Sequence, residues 1–431
     1  MARAEVVRFR TWNVGRWLVW GLTAIVFLVL PLIFTQGFAI TLLSQMGIMI
    51  VFALAYNIIF GQGGMLSFGH AVYSGLGAFF AVHALNWVGA GTIWLPVSLI
   101  PLVGGVFGAI MGVIFGYVTT KKAGTPFALI TLGIGEMVFA ASLMFPDFFG
   151  GEGGVSTDRV VGEPFFGISF GPSIQVYYLI AIWCFVCMVA MYAFAHTPLG
   201  RIINAVRDNP ERAEFIGYNT QMVRFFALVV SAFFAGISGG LSVLNFEIVN
   251  AENVSALASG GVLLATFIGG AMFFFGPILG AVIFTFFAVA LSEYTNAWQL
   301  YLGAFFVLMV MYAPGGIAAL ILINLRVLKY GLFRRLRDPY VGVLLTGGLL
   351  MVGVVMVIEM GYHLTLQSLT GTEMELGGFV VDTASPTMWA MALVTLLIGA
   401  ASFETMRRYF VHEWDAVQLE IEERAAQELK V

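Results

Sequence analysis

From Trp17 to Thr120 the chain runs for 104 consecutive residues without an Asp, Glu, Lys or Arg. A domain surrounded by water cannot be built from such a stretch, because about a quarter of the residues in ordinary soluble proteins are charged. Over the whole chain, 60% of the residues are hydrophobic and only 10% are charged. These values exclude a soluble enzyme, a nucleic-acid-binding protein and a secreted module, and they predict a protein that lies in a lipid bilayer.

Backbone groups inside the hydrocarbon find no water to bond, so each long apolar run is predicted to form a helix. About 20 apolar residues cross the hydrocarbon core, and the stretch Leu257 to Ser292 is therefore divided into two spans at Gly276-Pro277. The fold class is predicted as all-α, a polytopic membrane bundle of about 12 transmembrane helices. The predicted spans are Leu18–Phe34, Phe38–Phe60, Phe68–Trp87, Trp94–Val118, Pro126–Phe145, Ile174–Ala195, Phe225–Leu244, Leu257–Phe275, Pro277–Ser292, Trp298–Ala313, Val341–Ile358 and Thr387–Phe403.

The distribution of Lys and Arg supports this set of spans and orients it. Cytoplasmic loops hold an excess of these residues, and a cytoplasmic N-terminus followed by twelve spans places 19 of the 20 cations on that side. Only Arg159 falls outside. Both termini are therefore predicted to be cytoplasmic. The first apolar run follows basic residues as a signal peptide would, but the absence of a small-x-small pattern after it favours a retained span.

Four parts are predicted along the chain: a cytoplasmic segment 1–17, a domain of ten spans over 18–338, an extra helical pair over 339–403 and a tail over 404–431. The tail has apolar residues every three or four positions between acidic ones, which predicts an acidic amphipathic helix. These apolar residues are Val411, Trp414, Val417, Ile421, Ala425 and Leu429. The acidity of the tail favours a protein partner, or the ATPase that serves this chain, over an anionic membrane surface.

The fourth predicted span carries Gly104, Gly108, Gly112 and Gly116, four glycines that are each four residues apart. This spacing places them on one face of a helix and predicts close packing against another helix backbone. The alternative is that the glycine face forms the wall of a conduit.

Glycines also interrupt the apolar segment ALAYNIIFGQGGMLSFGHAVYSGLGA, at Gly61, Gly63 and Gly64. A broken helix exposes backbone polar groups, and in a bilayer such breaks survive only where they are buried in protein or line a wet cavity. The neighbouring polar residues are candidates for a translocation path, and they are Asn57, Gln62, Ser67 and His70. The alternative is a plain cytoplasmic turn, with His70 a hydrogen-bonded interior group rather than a proton carrier.

Glu136, in FALITLGIGEM, is the one carboxylate that lies within a predicted span away from its ends. An ionised group at that depth costs several kcal/mol unless it is paired or neutralised, so Glu136 is predicted to face the interior of the bundle. A structural hydrogen bond to a neighbouring helix end and a role near the permeation path both remain open. A proton relay would need further groups along the way, and His70 and His83 are the only other candidates.

The segment His196 to Arg224 is too long and too mixed in charge for a simple turn. Thr197-Pro198 and Asn209-Pro210 each combine an N-cap residue with a proline in the first helical position, and Gly217 provides a helix terminator. Two short amphipathic helices are therefore predicted, and they are expected to dock on a partner. The alternative is a solvated connector.

Catalytic and cofactor motifs are absent from the sequence. No segment matches the phosphate-binding pattern G-x-x-x-x-G-K-[ST], so the chain is predicted to be no ATPase and no enzyme. Cys184 and Cys187 lie in one apolar run and suggest neither a disulfide framework nor a complete metal site. No cofactor is expected in this chain.

Six motifs in order give the chain a family resemblance between Gly37 and Ile317. They are NIIFGQGGMLSFGHA, FALITLGIGE, GGEGGVS, TPLGRIINAVRDNPERAEFIGYN, IGGAMFFFGPILGA and YAPGGI. Together they resemble the LivM-type permease, the membrane subunit of bacterial branched-chain amino acid importers of the ATP-binding-cassette class. The resemblance implies a multi-pass protein of the bacterial cytoplasmic membrane that moves branched-chain or related amino acids.

The resemblance also implies partners. In that family the cytoplasmic loop seats in a cleft of the ATPase subunit, so the residues implied in coupling are Arg201, Arg207, Asp208, Glu211 and Gly217. Two ATPase subunits that use ATP, a second homologous permease subunit and a periplasmic substrate-binding protein are expected. The loop Pro146 to Ser173 is the expected surface for the binding protein.

The sequence departs from the family pattern after Pro339, and the extension leaves other functions open. The same machinery could carry urea, short amides or aromatic acids. A stand-alone proton-coupled carrier and a structural or signalling membrane protein are alternatives of different classes. Transport by this chain alone under a proton gradient would identify the carrier.

Overall fold

The computed structural model describes residues 14–161, 169–366, 371–376 and 378–428. Helices dominate these residues, as the sequence predicted. The helices are α1 (Val14–Ile33), α2 (Gly37–Asn57), α3 (Ala71–Gly89), α4 (Ile100–Thr119), α5 (Thr125–Met144), α6 (Pro146–Phe149), α7 (Ser173–His196), α8 (Pro198–Asp208), α9 (Pro210–Phe215), α10 (Thr220–Phe246), α11 (Ala256–Gly269), α12 (Gly276–Thr285), α13 (Trp298–Tyr312), α14 (Gly316–Lys329), α15 (Phe333–Leu366) and α16 (Pro386–Glu428). The all-α, polytopic class is confirmed.

The strands in these residues form two short antiparallel pairs. They are β1 (Val155–Ser156) with β2 (Ile248–Val249), and β3 (Glu373–Leu376) with β4 (Phe379–Asp382). The chain forms two compact units, one reaching to Val289 and including Pro314–Gly316, the other comprising Ala290–Ala313 and the residues from Ile317 onward. Most of the predicted N-terminal segment lies outside the described residues, as do Glu163, Leu429 and Lys430.

Each of the twelve predicted spans contains a helix. Within the described residues, nine helices are long and apolar enough to cross a bilayer, and α13 with α14 makes a tenth if this pair, bent by 50°, counts as one span. The apolar parts of α1 and α11 are shorter. The count of twelve therefore stays a prediction. Helix α14 was not predicted, because its apolar part is too short for a span and follows the helix-ending sequence Pro314-Gly315-Gly316.

Helices α3, α4 and α10 pack closely in the first unit because glycines meet where they cross. A Cβ atom added to Gly104 would lie 2.4 Å from the Gly236 carbonyl oxygen, and one added to Gly77 would lie 2.7 Å from Gly236 Cα. Gly108 and Gly112 meet α10 in the same way. The glycine face of α4 is therefore a packing surface, which the sequence favoured over a conduit wall.

The predicted break in the long apolar stretch is present, but it lies earlier in the chain. Helix α11 ends at Gly269 and α12 begins at Gly276, so the break occupies 270–275. Gly276 and Pro277 belong to the first turn of α12, where a proline is tolerated because its missing N–H has no partner in the helix.

In the predicted external loop, Arg159 is a structural residue. Its guanidinium donates to the carbonyl groups of Phe170 (2.8 Å), Gly171 (3.1 Å) and Leu244 (3.3 Å), and it lies 3.6 Å from the Glu247 carboxylate. Carbonyl groups at the end of a helix lack helical partners, so Arg159 ties the loop to the end of α10. This accounts for the one cation that falls outside the segments predicted to be cytoplasmic.

The second unit is built around α15 and α16, which pack backbone to backbone. A Cβ atom added to Gly353 would lie 2.6 Å from Leu396 Cα, and one added to Gly399 would lie 2.6 Å from Leu350 Cα. Helix α15 continues through Pro339, the predicted start of the extension, and α16 includes most of the predicted tail.

The tail part of α16 packs on its own chain. Val417 and Ile421 are buried together with Val327 and Leu336, and Glu413 accepts a hydrogen bond of 2.9 Å from Arg335. The predicted amphipathic helix is therefore present over the described residues. Its apolar face already has a partner within the same unit, so an external protein is not required to cover it.

Candidate functional site

The chain between α2 and α3 leaves regular helix geometry deep inside the first unit. Helix α2 passes into a π-helical turn, Ile58–Gln62, and Gly64 then adopts a φ of 66°, a conformation that favours glycine. The segment is buried: Asn57 is 2% exposed, and Ser67 and His70 are 0% exposed. A plain solvated turn does not fit this burial.

A second break meets this one. A Cβ atom added to Gly61 would lie 2.1 Å from the carbonyl oxygen of Ala271, which belongs to the 270–275 connection between α11 and α12. The two interruptions of the apolar pattern are far apart in the sequence, and the fold brings their backbones into contact. Glycine is required at position 61 because no side chain fits between them.

Hydroxyl groups from three other helices stabilise the irregular backbone of the break and its surroundings. Thr131 accepts a hydrogen bond from the Phe68 N–H (3.2 Å), Ser259 accepts one from the Ala71 N–H (3.0 Å), and Ser231 donates to the Ala55 carbonyl. The bonds to the Phe68 and Ala71 N–H groups replace partners that a continuous helix would have supplied, and the Ser231 bond adds to the Ile58 N–H that the Ala55 carbonyl already accepts.

His70 lies among aromatic rings. Its ring stacks on Phe52 with centroids 5.8 Å apart and planes 12° apart, and the ring centroids of Tyr56 and Tyr73 lie 5.2 and 5.5 Å away in edge-to-face arrangements. Its Nε2 lies 3.3 Å from Ser231 Oγ. Because the Ser231 hydroxyl proton goes to a backbone carbonyl, we assign the proton between the two side chains to His70 Nε2. This arrangement fits the interpretation of His70 as a hydrogen-bonded interior group.

Four buried polar atoms in this segment lack hydrogen-bond partners: Asn57 Oδ1, Gln62 Oε1, Ser67 Oγ and His70 Nδ1. They are four of the seven such atoms found among the described residues. Leaving a buried polar group unpaired costs about 1–3 kcal/mol, so a cluster of them needs an explanation. The four candidate path residues on this segment therefore share a buried, polar and unsatisfied region.

The two predicted helices of the 196–224 segment are present as α8 and α9. Thr197 Oγ1 accepts a hydrogen bond from the Gly200 N–H (3.2 Å), Asn209 Oδ1 accepts one from the Arg212 N–H (2.9 Å), and Gly217 adopts a φ of 94°. Ile203 and Val206 are buried, whereas Phe215 is 90% exposed. One side of the helix pair thus packs on the chain and its tip is free to contact a partner.

Among the five residues implied in coupling, Arg207 points inward. Its Nη1 donates a hydrogen bond of 2.6 Å to the Gly61 carbonyl, and its stem fills the space that a side chain on Gly64 would need. Asp208 pairs with its guanidinium at 2.8 Å. The other four residues are exposed: Arg201, Asp208, Glu211 and Gly217. The structure therefore joins α8 directly to the π turn.

Glu136 is exposed on α5, so the prediction that it faces the interior of the bundle is wrong. The buried residues of α5 are instead Phe127, Ala128, Thr131, Gly135, Val138 and Ser142. Thr131 approaches Gly69 so closely that a Cβ added to Gly69 would lie 2.0 Å from the Thr131 carbonyl oxygen. Helix α5 is apolar on nearly all sides, so its sequence pattern gave no direction for the carboxylate. The exposed stripe around it contains Leu129, Gly133, Glu136, Met137 and Ala140.

Residues 38–314 match a family described as the branched-chain amino acid transport system permease component. The chain belongs to this family of permeases. The match includes the break between α2 and α3, the helices α8 and α9 and the connection 270–275. It ends before α14, α15 and α16, so the family relationship says nothing about the part of the second unit from Ile317 onward.

Curated relatives of the permease carry different cargoes according to their names. The high-affinity branched-chain amino acid transport system permease protein LivM of Escherichia coli K12 is 26% identical over 293 residues, 63% of this chain and 67% of the relative. The galactose/methyl galactoside import permease protein MglC of Salmonella typhimurium is 29% identical over 267 residues, 57% of this chain and 75% of the relative. The guanosine ABC transporter permease protein NupQ of Bacillus subtilis is 24% identical over 216 residues, 48% of this chain and 65% of the relative. No solved structure matches the permease significantly.

Several residues of the permease could not be found as site residues from the sequence. Thr131, Ser231 and Ser259 contact the break, but hydroxyl residues in apolar helices commonly bond their own helix, as Thr266 does to the Val262 carbonyl. Glu359 lies one residue beyond a predicted span and inside α15, where it accepts hydrogen bonds from Thr295 (2.7 Å) and Tyr301 (2.8 Å).

Proposed function

We propose that this permease moves branched-chain or related amino acids across the cytoplasmic membrane as part of an ATP-binding-cassette importer. Membership of the family and the likeness to LivM support this cargo. Sugar and nucleoside permeases are also among the relatives, so sequence similarity at this level does not dictate the cargo, and the amino acid is part of the proposal. Separate ATPase subunits supply the energy, and a periplasmic binding protein delivers the solute.

The hydrogen bond between Arg207 and the Gly61 carbonyl is the main support for the part of this proposal that concerns coupling to the ATPase. The exposed tip of α8 and α9 offers an apolar contact for an ATPase subunit, while Arg207 on the opposite side holds the π turn of a broken helix. A π turn lacks the regular bonding of an α-helix, and such turns kink helices and are frequent at functional sites. Closure of two ATPase subunits would move α8 and thereby reshape the buried segment from Asn57 to His70.

The exposed face of α5 supports a second permease subunit. A carboxylate facing lipid within a span costs several kcal/mol, and Glu136 has no cation close enough for a salt bridge among the described residues. Contact with a second permease subunit, with water between the two, would remove this cost. We therefore propose that Glu136 lies beside the path between two permease subunits. We also propose that both termini lie in the cytoplasm, as the distribution of Lys and Arg predicts.

Reconstitution tests the proposed function. The permease would be assembled in proteoliposomes with its partner permease, two ATPase subunits and the binding protein, and uptake of radiolabelled L-leucine, D-galactose and guanosine would be compared. We expect uptake that requires ATP and the binding protein, with L-leucine preferred. Uptake by the permease alone under a proton gradient would overturn the mechanism, and preference for D-galactose or guanosine would overturn the cargo.

A further inference from the structure

The turn between α14 and α15 concentrates positive charge. The described residues of the second unit include eight Lys and Arg side chains, and five of these lie between positions 326 and 337. All five are exposed, and they are Arg326, Lys329, Arg334, Arg335 and Arg337. The twelve predicted spans place this turn at the cytoplasmic surface of the membrane, where the headgroups of the inner leaflet lie.

Three of the eight cations differ from the rest because they have no acidic partner. The other five are paired within the unit: Arg335 with Glu413 and Glu420, Arg337 with Asp338, Arg407 and Arg408 with Glu404, and Arg424 with Glu420. Arg326, Lys329 and Arg334 form no ion pair with a described residue. Lys329 Nζ lies 5.8 Å from the centroid of the Tyr330 ring, a contact that leaves its charge in place.

The helix ends at this turn explain only part of the unpaired charge. Cations are favourable in the last turn of a helix, so the end of α14 accommodates Arg326 and Lys329. Arg334 lies in the first turn of α15, where a cation is unfavourable. Its neighbour Arg335 is compensated by two carboxylates of α16, whereas nothing in the described chain compensates Arg334. An anion from outside the chain would supply the missing counter-charge.

Exposed leucines lie beside these cations on α14. Leu325 is 54% exposed and Leu328 is 55% exposed. Leu325 and Lys329 are four residues apart, so they lie on one stripe of the helix. Helix α14 is bent by 50° from α13, and its 14 residues are about 21 Å long, which is less than the roughly 30 Å of the hydrocarbon core. A short helix with leucines beside Lys and Arg is typical of the boundary between hydrocarbon and headgroups.

The combination of charge and apolar surface favours a lipid over other anions. A soluble phosphate ester would pair with the cations and leave Leu325 and Leu328 in water. The partners that the family implies do not account for the surface either, because the family match ends at position 314. A phospholipid with a net negative charge satisfies both parts, since its phosphate meets the cations and its acyl chains cover the leucines.

We propose that the turn between α14 and α15 binds an anionic phospholipid of the inner leaflet. Arg326, Lys329 and Arg334 contact the phosphate, and Leu325 and Leu328 contact the acyl chains. The bound lipid compensates Arg334 and holds the start of α15 at the membrane surface. This inference concerns the part of the chain beyond the family match, and it does not depend on which solute is transported.

Native mass spectrometry of the full-length permease in a neutral detergent tests the lipid site. The permease is titrated with phosphatidylglycerol, which has a net negative charge, and separately with phosphatidylcholine, which has none. The ratio of the two affinities for the first bound lipid is measured. Arg326→Gln with Lys329→Gln removes two unpaired cations. Arg407→Gln with Arg408→Gln is the matched control, because it removes two cations that already share the Glu404 carboxylate.

We expect the preference for phosphatidylglycerol to fall at least about tenfold in the 326/329 variant, since each Lys or Arg near an anionic lipid surface contributes about fivefold. Arg334→Gln should lower the preference about fivefold for the same reason. The 407/408 control should change it by less than about twofold. Equal losses in the two double variants, or no loss in the 326/329 variant, would overturn the lipid site.

Two further measurements separate the lipid from other occupants. Glycerol phosphate carries the anionic group without acyl chains, and we expect that it does not displace phosphatidylglycerol at equal concentration. Displacement would replace the lipid by a soluble phosphate ester. Co-purification of the ATPase should be the same for the 326/329 variant as for the unsubstituted permease. A variant that kept its lipid preference and lost the ATPase would identify this surface as a protein interface and overturn the proposal.

Discussion

The break between α2 and α3 and the helix pair α15–α16 differ in how their polar side chains are paired. In the break, four buried polar atoms have no partner. In the pair, Glu359 receives two hydroxyl hydrogen bonds, and Arg335 lies within 3.7 Å of two carboxylates, Glu413 and Glu420. Within the described part of α15 and α16, one buried atom, Gln418 Nε2, is unpaired.

This difference separates residues that stabilise the protein from residues whose polar groups are available for transport. Satisfied polar groups lower the free energy of the folded state, and changing them should lower stability. Buried polar groups without a partner in the chain are left to bond water or a solute, and such groups persist in native proteins where function requires them. Variants in the break should therefore reduce transport by protein that is correctly folded, and variants in α15–α16 should reduce stability alone.

The largest effect is expected from Gly61→Ala. The added methyl group would lie 2.1 Å from the Ala271 carbonyl oxygen, so the two breaks would have to separate. Overpacking of this kind costs about 1–3 kcal/mol or more, and we expect ATP-driven uptake per inserted permease to fall below detection. Gly348→Ala on α15 is the matched control, because a Cβ there meets nothing within 4 Å. Equal uptake by both variants would remove the requirement for contact between the breaks.

The next effect concerns Arg207 and Arg201, two arginines on α8 that point in different directions. Arg207→Gln removes the charge-assisted bond to the Gly61 carbonyl, worth about 1.5–3 kcal/mol, so we expect uptake to fall about tenfold while ATP hydrolysis continues. Arg201 is exposed, and Arg201→Gln should instead weaken co-purification of the ATPase. The ratio of solute moved to ATP hydrolysed distinguishes the two. An unchanged ratio in Arg207→Gln would show that the bond is not part of coupling.

A third pair compares two carboxylates in apolar helices. Glu136 is exposed without a described ion-pair partner, so Glu136→Gln should reduce uptake about threefold and leave the melting temperature unchanged. Glu359 accepts two hydrogen bonds, so Glu359→Gln should lower the melting temperature by weakening bonds of about 1 kcal/mol each and leave uptake per folded permease unchanged. Thermal unfolding in detergent and uptake would be measured on both. The reverse pattern would contradict the assignment of roles.

Much of the fold could be predicted because the bilayer makes apolar length diagnostic. The helices containing the predicted spans, the caps at Thr197 and Asn209 and the break near Gly61 all follow from local sequence. The direction of Glu136 could not be predicted, because a helix that is apolar on nearly all sides has no pattern that marks its inner face.

Contacts between distant segments could not be predicted from the sequence either. The bond from Arg207 to Gly61, and the approach of Gly61 to Ala271, join residues that nothing local connects. Each partner could be identified as unusual, since Arg207 lies among cations and Gly61 interrupts an apolar run, but one sequence gives no signal that pairs them. The same holds for the hydroxyls of Thr131 and Ser259, which resemble any other hydroxyl in an apolar helix.

The smallest effect on transport is expected in the tail part of α16, where Ile421 and Leu419 provide a matched pair. Ile421 is 4% exposed and packs with Val327 and Leu336, so Ile421→Ala should cost about 2–5 kcal/mol and lower the melting temperature. Leu419 is 62% exposed on the same helix, and Leu419→Ala should leave the melting temperature unchanged. Neither variant should change uptake per folded permease, because neither residue belongs to the break or to α8. If Leu419→Ala reduced uptake without altering stability, we would infer that the exposed face of the tail contacts a partner during transport. Helix α16 would then have a role in transport as well as in stability.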